Sequence, residues 1–538
     1  FVEKMALRSS LRTQGQSRVE NIVRKAVNEC EVTDVHTHLF PDTHGSLMLW
    51  GIDELLTYHY LVAEYFQSAP MNIHPEFFFS LTKLEQANLV WQHLFIDRVP
   101  ISEAARGVVT VLDRLLPKGI EIDDIESIRN WFNQQDPAEH IENVFKLARV
   151  KYVVMTNIPF VPEESQHWKP NKAQLSSRFR SALRCDPLLS SNWSSVCNEL
   201  VKHGYDTSTT GARLFLNDWI DIMKPEYLMA STPHNFKVDS NDPLASFNQC
   251  SCALTTFSSN TESSSSLSAS TSNMIPFSFV KPRPRQHLLL NCPIMEINNS
   301  DKTNTKKKKN TFKKNQDNGE DGDGDLNKKR RVNIMSSENN GFDNEKNQEV
   351  DEDEDDFVGG SELLEKVLIP VAIQRQLPIA LKIGAHRQVN PDLKAGGDGV
   401  VTVDLSDLQT LLQRYPHVKF LATLLSKTNQ HEACVLANKF RNLHIYGCWW
   451  YCNLPSIIRE VTSMRVELLG FAFTAQHSDA RVLEHLIYKW DHARVVIADV
   501  LVENFSKLVE TGWEPNEIQI KREVERVLGG AYNEFMDK

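Results

Sequence analysis

A chain of 538 residues with 41% hydrophobic and 9% aromatic side chains has ample material for a large core, and a net charge of -11 argues against a general nucleic-acid binder. No run approaches the ~18–20 consecutive apolar residues of a membrane-spanning helix. Nine cysteines, odd in number and without a repeating spacing, argue against a disulfide framework and for reduced thiols in a reducing compartment.

In chain order, residues 1–16 come first. The chain opens on Phe1, so its start is expected at Met5 or upstream, and ALRSSLRTQGQSR is rich in Arg and Ser and free of acids. A flexible tail is expected there, with a transit segment as the alternative. The first apolar run is VTDVHTH (32–38). Residues 39–150 then carry helical patterns such as LTKLEQANLVWQHLF (81–95) and SEAARGVVTVLDRLL (102–116), read as a helical subdomain over about 53–146, inserted after the first strand. Further strand-like runs follow: KYVVMTN (151–157), FRSALRCD (179–186) and EYLMAST (226–232). The first part of the fold is thus expected over 17–239.

From about 240 to 357 the composition changes. SSNTESSSSLSASTSN, the basic runs Lys306 to Lys309 and Lys328 to Arg331, and the acidic run Asp351 to Asp356 cannot bury enough apolar surface to offset the entropy of ordering. A low-complexity disordered insertion is expected, its basic runs read as part of a solvated polyampholyte rather than a nuclear-import signal. Cys250 and Cys252 lie within it, with no second pair to complete a zinc site.

Over 358–538 come LPIALKIGA (377–385), KFLATLLS (419–426), LHIYGCWW (443–450) and GFAFTAQ (470–476), interleaved with the helical patterns LSDLQTLLQRYP (405–416) and QHEACVLANKF (430–440), and C-terminal helices end the chain. Eight apolar runs alternating with helices predict an α/β fold, a (β/α)8 TIM-like barrel whose site forms at the C-terminal ends of its strands.

Chemistry gathers at those ends. His36 and His38, two apart on the first strand, project to one side. A catalytic metal needs a third ligand from elsewhere, and Asp479, just past the eighth run and therefore beside the first strand in a closed barrel, is placed to supply it. His59 and Tyr60 follow the first strand, Arg184 ends the third run, Trp449 and Trp450 end the seventh, and Arg481 follows Asp479 by two. A metal, a carboxylate, two arginines and aromatic walls suit a small anionic polyol such as a sugar acid.

The stretches VTDVHTHLF, WGIDELLTYHYLVAE, VVMTNIPF, RFRSALRCDPLL, SKTNQHE, GCWWYCNLPSII and QHSDARVLEHLIYKWDHAR resemble the uronate isomerases, a family of the amidohydrolase superfamily, from about Ser17 to the C-terminus outside the insertion. The resemblance implies isomerisation of D-glucuronate to D-fructuronate and of D-galacturonate to D-tagaturonate, with no nucleotide cofactor. It implies His36, His38 and Asp479 as ligands of a divalent metal, zinc by family habit. Asp479, Tyr60 and His59 would serve catalysis, and Arg184, Arg481 and the Trp449–Trp450 pair substrate binding, which of the two tryptophans faces the site being left open. One departure stands out: Lys382 occupies the fifth-strand place where superfamily members often have a histidine ligand, so that it either points away or weakens the site. His386 is four residues further on, and the fourth strand offers no carboxylate. Another metal-dependent hydrolase or decarboxylase of the superfamily, or a non-catalytic scaffold, are the competing readings. The expected partners are a small hexuronate and a second copy of the chain in a homo-oligomer, without membrane or nucleic acid, in the cytoplasm, with an organelle or the nucleus as alternatives.

Overall fold

The computed structural model describes residues 2–168, 176–190, 192–238 and 360–538. Seven of the eight apolar runs form strands of one sheet: β1 (Val32–Thr37), β2 (Val150–Asn157), β3 (Phe179–Arg184), β4 (Leu228–Ser231), β5 (Ile379–Ile383), β6 (Phe420–Leu424) and β7 (Leu443–Ile445), hydrogen-bonded in that order. Every pairing is parallel. Nearly all of these strand residues are buried, as side chains on both faces of a helix-covered sheet must be.

Val35 of β1, Val154 of β2, Ala182 of β3, Met229 of β4, Ala380 of β5 and Leu421 of β6 share one buried cluster with Tyr446, just past β7. Contributions from all around the sheet to one cluster require the sheet to curl about it, an arrangement consistent with a TIM-like barrel. Helix Ala531–Asp537 adds Tyr532 and Phe535 to the same cluster, and Tyr532 Oη donates to Glu226 Oε2 at 2.6 Å. Each such aromatic side chain contributes roughly 2–3 kcal/mol by leaving water.

The eighth run differs from expectation. GFAFTAQ is not a regular strand: Thr474 alone bridges to Tyr446, and the next amide, that of Ala475, donates to the carbonyl of Val527 near the C-terminus. This segment still links the two ends of the sheet. Gly447 N–H donates to Thr474 O at 2.9 Å on one side, and on the other Asp479 N–H donates to His36 O at 3.2 Å and His38 N–H to Ala480 O at 2.7 Å.

Between β1 and β2 the chain forms helices and no strand. Helix Lys83–Trp91 starts at a capping box between Thr82 and Glu85, and helix Glu103–Leu115 starts where Ser102 accepts from the amide of Ala105. Both lie within the helical patterns read from the sequence. At the N-terminus the structure departs from the expected tail, since Val2–Glu29 is one helix. No proline interrupts it, and its Arg, Leu and Ala residues favour helix, so the composition that suggests a tail also permits a helix. Val19, Val23 and Val27, four apart, are buried on one face.

The expected insertion 240–357, with Cys250, Cys252 and both basic runs, lies outside the described residues. β4 and β5, which flank it in sequence, are direct neighbours, Leu228 beside Ile379 and Ser231 beside Lys382. No helix among the described residues is long and apolar enough to cross a membrane.

Candidate active site

Between Asp34 and Thr37, β1 takes three steps against two of β2, a bulge of the kind that re-aims side chains beside active sites. His36 and His38 emerge with their rings edge to face, centroids 5.1 Å apart. Both reach Asp479: His36 Nε2 lies 3.1 Å and His38 Nε2 3.5 Å from its Oδ1. Among the described residues these three form the group of donors able to hold a metal ion, their ligand atoms within 4.8 Å of one another. Thr156 of β2 sits with Oγ1 2.9 Å from His38 Nδ1, which leaves Nε2 as the nitrogen facing the carboxylate.

Asp479 has a left-handed backbone, φ 51°, and its loop is pinned from three sides. The Ser478 N–H donates to Asp34 Oδ1 at 3.1 Å, Lys489 Nζ donates to Ser478 O at 2.7 Å, and Asp479's own N–H goes to His36 O. Asp34 is itself steadied by Trp490, whose Nε1 donates to Oδ2 at 2.9 Å, while burial lifts its carboxyl to about 6.

Charge states follow from burial. Both His36 and His38 are pushed down to about 3, first by desolvation and also by the Lys382 charge, so both rings are neutral. Burial alone would raise Asp479, but the Lys382 ammonium and hydrogen bonds to His36 and His38 hold it well below the usual carboxylate range. Lys382 does not point away. Its Nζ lies 2.6 Å from His36 Nε2, 3.1 Å from Asp479 Oδ1 and 4.5 Å from the centre of the Trp449 ring, and burial lowers it to about 8.

The other expected residues line the same place. His59 and Tyr60 open helix His59–Ser68, and the His59 ring stands 5.4 Å from that of Trp450. His59 Nε2, Tyr60 Oη and Trp450 Nε1 are all shielded from solvent with no hydrogen-bond partner among the described residues. Burial pushes Tyr60 well above its ordinary value and His59 down to about 3, the Arg481 charge adding to the latter. Trp449 covers Lys382 while Trp450 meets His59, so both tryptophans border the site. Arg184 ends β3 paired with Asp186 at 2.5 Å, and Asp186 Oδ1 accepts from the Ser231 amide.

Sequence reasoning missed Glu164. Its carboxyl accepts from the Ile158 amide at 2.9 Å and is lifted to about 7 by burial, against the pull of Arg184 and Arg481. One glutamate in the four-residue helix Pro162–Ser165, shortly past a strand, gives no periodic signal. Thr156, Asp34 and Lys489 were missed for a related reason: each acts through a neighbour distant in sequence.

Among solved structures, the uronate isomerase BH0493 of Bacillus halodurans C-125 matches with a TM-score of 0.71 and 33% identity, over 97% of this chain and 97% of that one. The chain belongs to the uronate isomerase family. Two further members of the uronate isomerase family share the fold at lower identity: the uronate isomerase TM0064 of Thermotoga maritima (TM-score 0.60, 14% identity, 97% of each chain) and the glucuronate isomerase of Caulobacter crescentus (0.60, 12%, 97% of this chain and 94% of that one). No protein-family model and no curated protein matches the sequence. The donor chemistry of this uronate isomerase family member fits a divalent metal: two neutral imidazoles and a carboxylate kept ionised.

Proposed function

We propose that the chain isomerises D-glucuronate to D-fructuronate and D-galacturonate to D-tagaturonate. The observation that carries this reading is Asp479, an ionised carboxylate at the meeting point of the sheet's two ends, close enough for its charge to act on the solvent-shielded Tyr60 phenol and on Arg184.

In the open-chain sugar acid, the Asp479 carboxylate takes the proton from C2 while the Tyr60 hydroxyl gives its proton to the C1 oxygen, and the resulting enediol carries its double bond between C1 and C2. Tyr60, whose burial disfavours the phenolate, then recovers a proton from the C2 hydroxyl, and Asp479 returns its proton to C1. Atoms balance and no oxidant is needed. His59, neutral at this burial, offers a hydrogen bond, and Arg184 and Arg481 hold the substrate carboxylate. A divalent cation held by His36, His38 and Asp479, zinc by family habit, supplies positive charge to substrate oxygens when bound.

The test is ketose formation from each uronate by the purified chain, followed by NMR beside an Asp479→Asn control. Folded protein inactive on both uronates would overturn the reading. Release of water-derived or decarboxylated products would favour a hydrolase or decarboxylase of the same superfamily.

A further inference from the structure

Lys382 stands on β5, near the middle of the sheet, 3% exposed, with Nζ directed at two of the three atoms that form the candidate metal set. Two consequences follow from elementary chemistry. An ammonium donating to His36 Nε2 occupies the lone pair through which that nitrogen would bind a metal. A positive charge 3.1 Å from Asp479 Oδ1 also neutralises the carboxylate whose charge would attract the ion.

We propose that the Lys382 ammonium and a divalent cation compete for one position among His36, His38 and Asp479, so that Lys382 keeps metal affinity low and must withdraw for a metal to enter. The inference rests on the reading of those three residues as a metal set. The structure also holds a place for the withdrawn side chain: the Trp449 ring face, already 4.5 Å from Nζ, receives a cation without requiring it to leave the pocket. His477 packs against His36 with 5.1 Å between ring centres. With the metal absent, Lys382 leaves the centre with one positive charge beside Asp479; with the metal present it has two or more.

The experiment compares zinc binding by the full-length chain, stripped with a chelator and titrated against a chromophoric competitor, in wild type, Lys382→Met and Lys382→Gln. Circular dichroism and melting temperature confirm folding. Both variants should bind one zinc at least about tenfold more tightly than wild type, and adding His36→Gln to either should abolish the gain. Equal or weaker affinity in the folded variants would overturn the competition while leaving the metal set standing. No zinc bound by any form, with isomerase activity intact, would remove the metal set and the competition together but leave the proposed reaction. A zinc-bound crystal structure of the wild type gives a measurement independent of variant folding: Nζ should lie more than about 3.5 Å from His36 Nε2, and zinc coexisting with the present contact would overturn the proposal.

Discussion

Asp34 on the first strand accepts a hydrogen bond at 3.1 Å from the amide of Ser478, 444 residues later and one residue before the proposed base. The same carboxylate accepts from Trp490 Nε1, and the Ser478 side chain and the His36 amide also hydrogen-bond to it. Asp34→Asn keeps the shape but turns an NH2 group toward one of those donors. A cost of about 1–3 kcal/mol is expected from the donor left unsatisfied, together with a fall in kcat of at least about tenfold and little change in KM, because the position of Asp479 is disturbed rather than the substrate's grip. A thermal melt and steady-state kinetics check this, and an unchanged kcat would mean that the loop holds its shape without Asp34.

Asp479→Asn removes the proposed base and leaves its volume. Turnover is expected to fall by about three orders of magnitude, and so is exchange of the C2 hydrogen when the reaction runs in deuterium oxide. Persistent exchange would assign proton abstraction to another group, with Glu164 first in line.

Arg184→Lys keeps a charge near Asp186 and loses the planar fork. A drop in kcat/KM of about 10- to 100-fold is expected on uronates, and a much smaller one on the corresponding aldose, which lacks the carboxylate. An equal loss on both sugars would show that Arg184 serves Asp186 and the fold rather than substrate binding.

The contrast between these residues explains what was legible from the sequence. His36 and His38 could be read because strand spacing brings two imidazoles together, although a bulge at Asp34–Thr37 and the end of β1 before His38 set their actual aim, and Asp479 because a closing sheet returns its last segment to its first strand. Seven strands were legible as apolar runs bounded by helical patterns. The eighth was misread because GFAFTAQ has strand composition, while the hydrogen bond that decides its course, Ala475 to Val527, comes from a segment no local pattern connects to it. The direction of Lys382 was equally hidden: composition places a lysine on a central strand but does not say whether its charge meets a carboxylate or avoids one.

His44 predicts the pH response. It is buried against His167, ring centres 5.0 Å apart, and burial followed by the His167 charge pushes it down to about 4. An unfolded chain binds that proton near 6.5, so between the two values the unfolded state holds more protons and stability falls as the pH drops from about 6.5 to about 4. His44→Gln should flatten that part of the curve by about 2 kcal/mol, measured by denaturant titration at pH 7 and pH 4.5. An unaltered slope would place the acid sensitivity elsewhere.

Gly447 tests the seam beside the site. It has φ +67°, and a Cβ there would fall 1.8 Å from Cδ2 of His477. Gly447→Ala combines backbone strain with a collision in a filled interior, and a loss of about 3–5 kcal/mol, or roughly 10 °C in Tm, is expected. A melting point within a degree or two of wild type would show that His477 yields easily.

The joining bonds from His38 to Ala480 and from Asp479 to His36 have a consequence for how the protein is made. Synthesis is vectorial, and the imidazoles emerge from the ribosome early while the carboxylate that faces them emerges near the end. Throughout elongation the nascent chain therefore carries an open half-centre. With Asp479 as the base proposed above, activity appearing in a timed translation reaction is in effect a clock for the closure of the whole polypeptide, and release short of Asp479 is expected to yield a silent product.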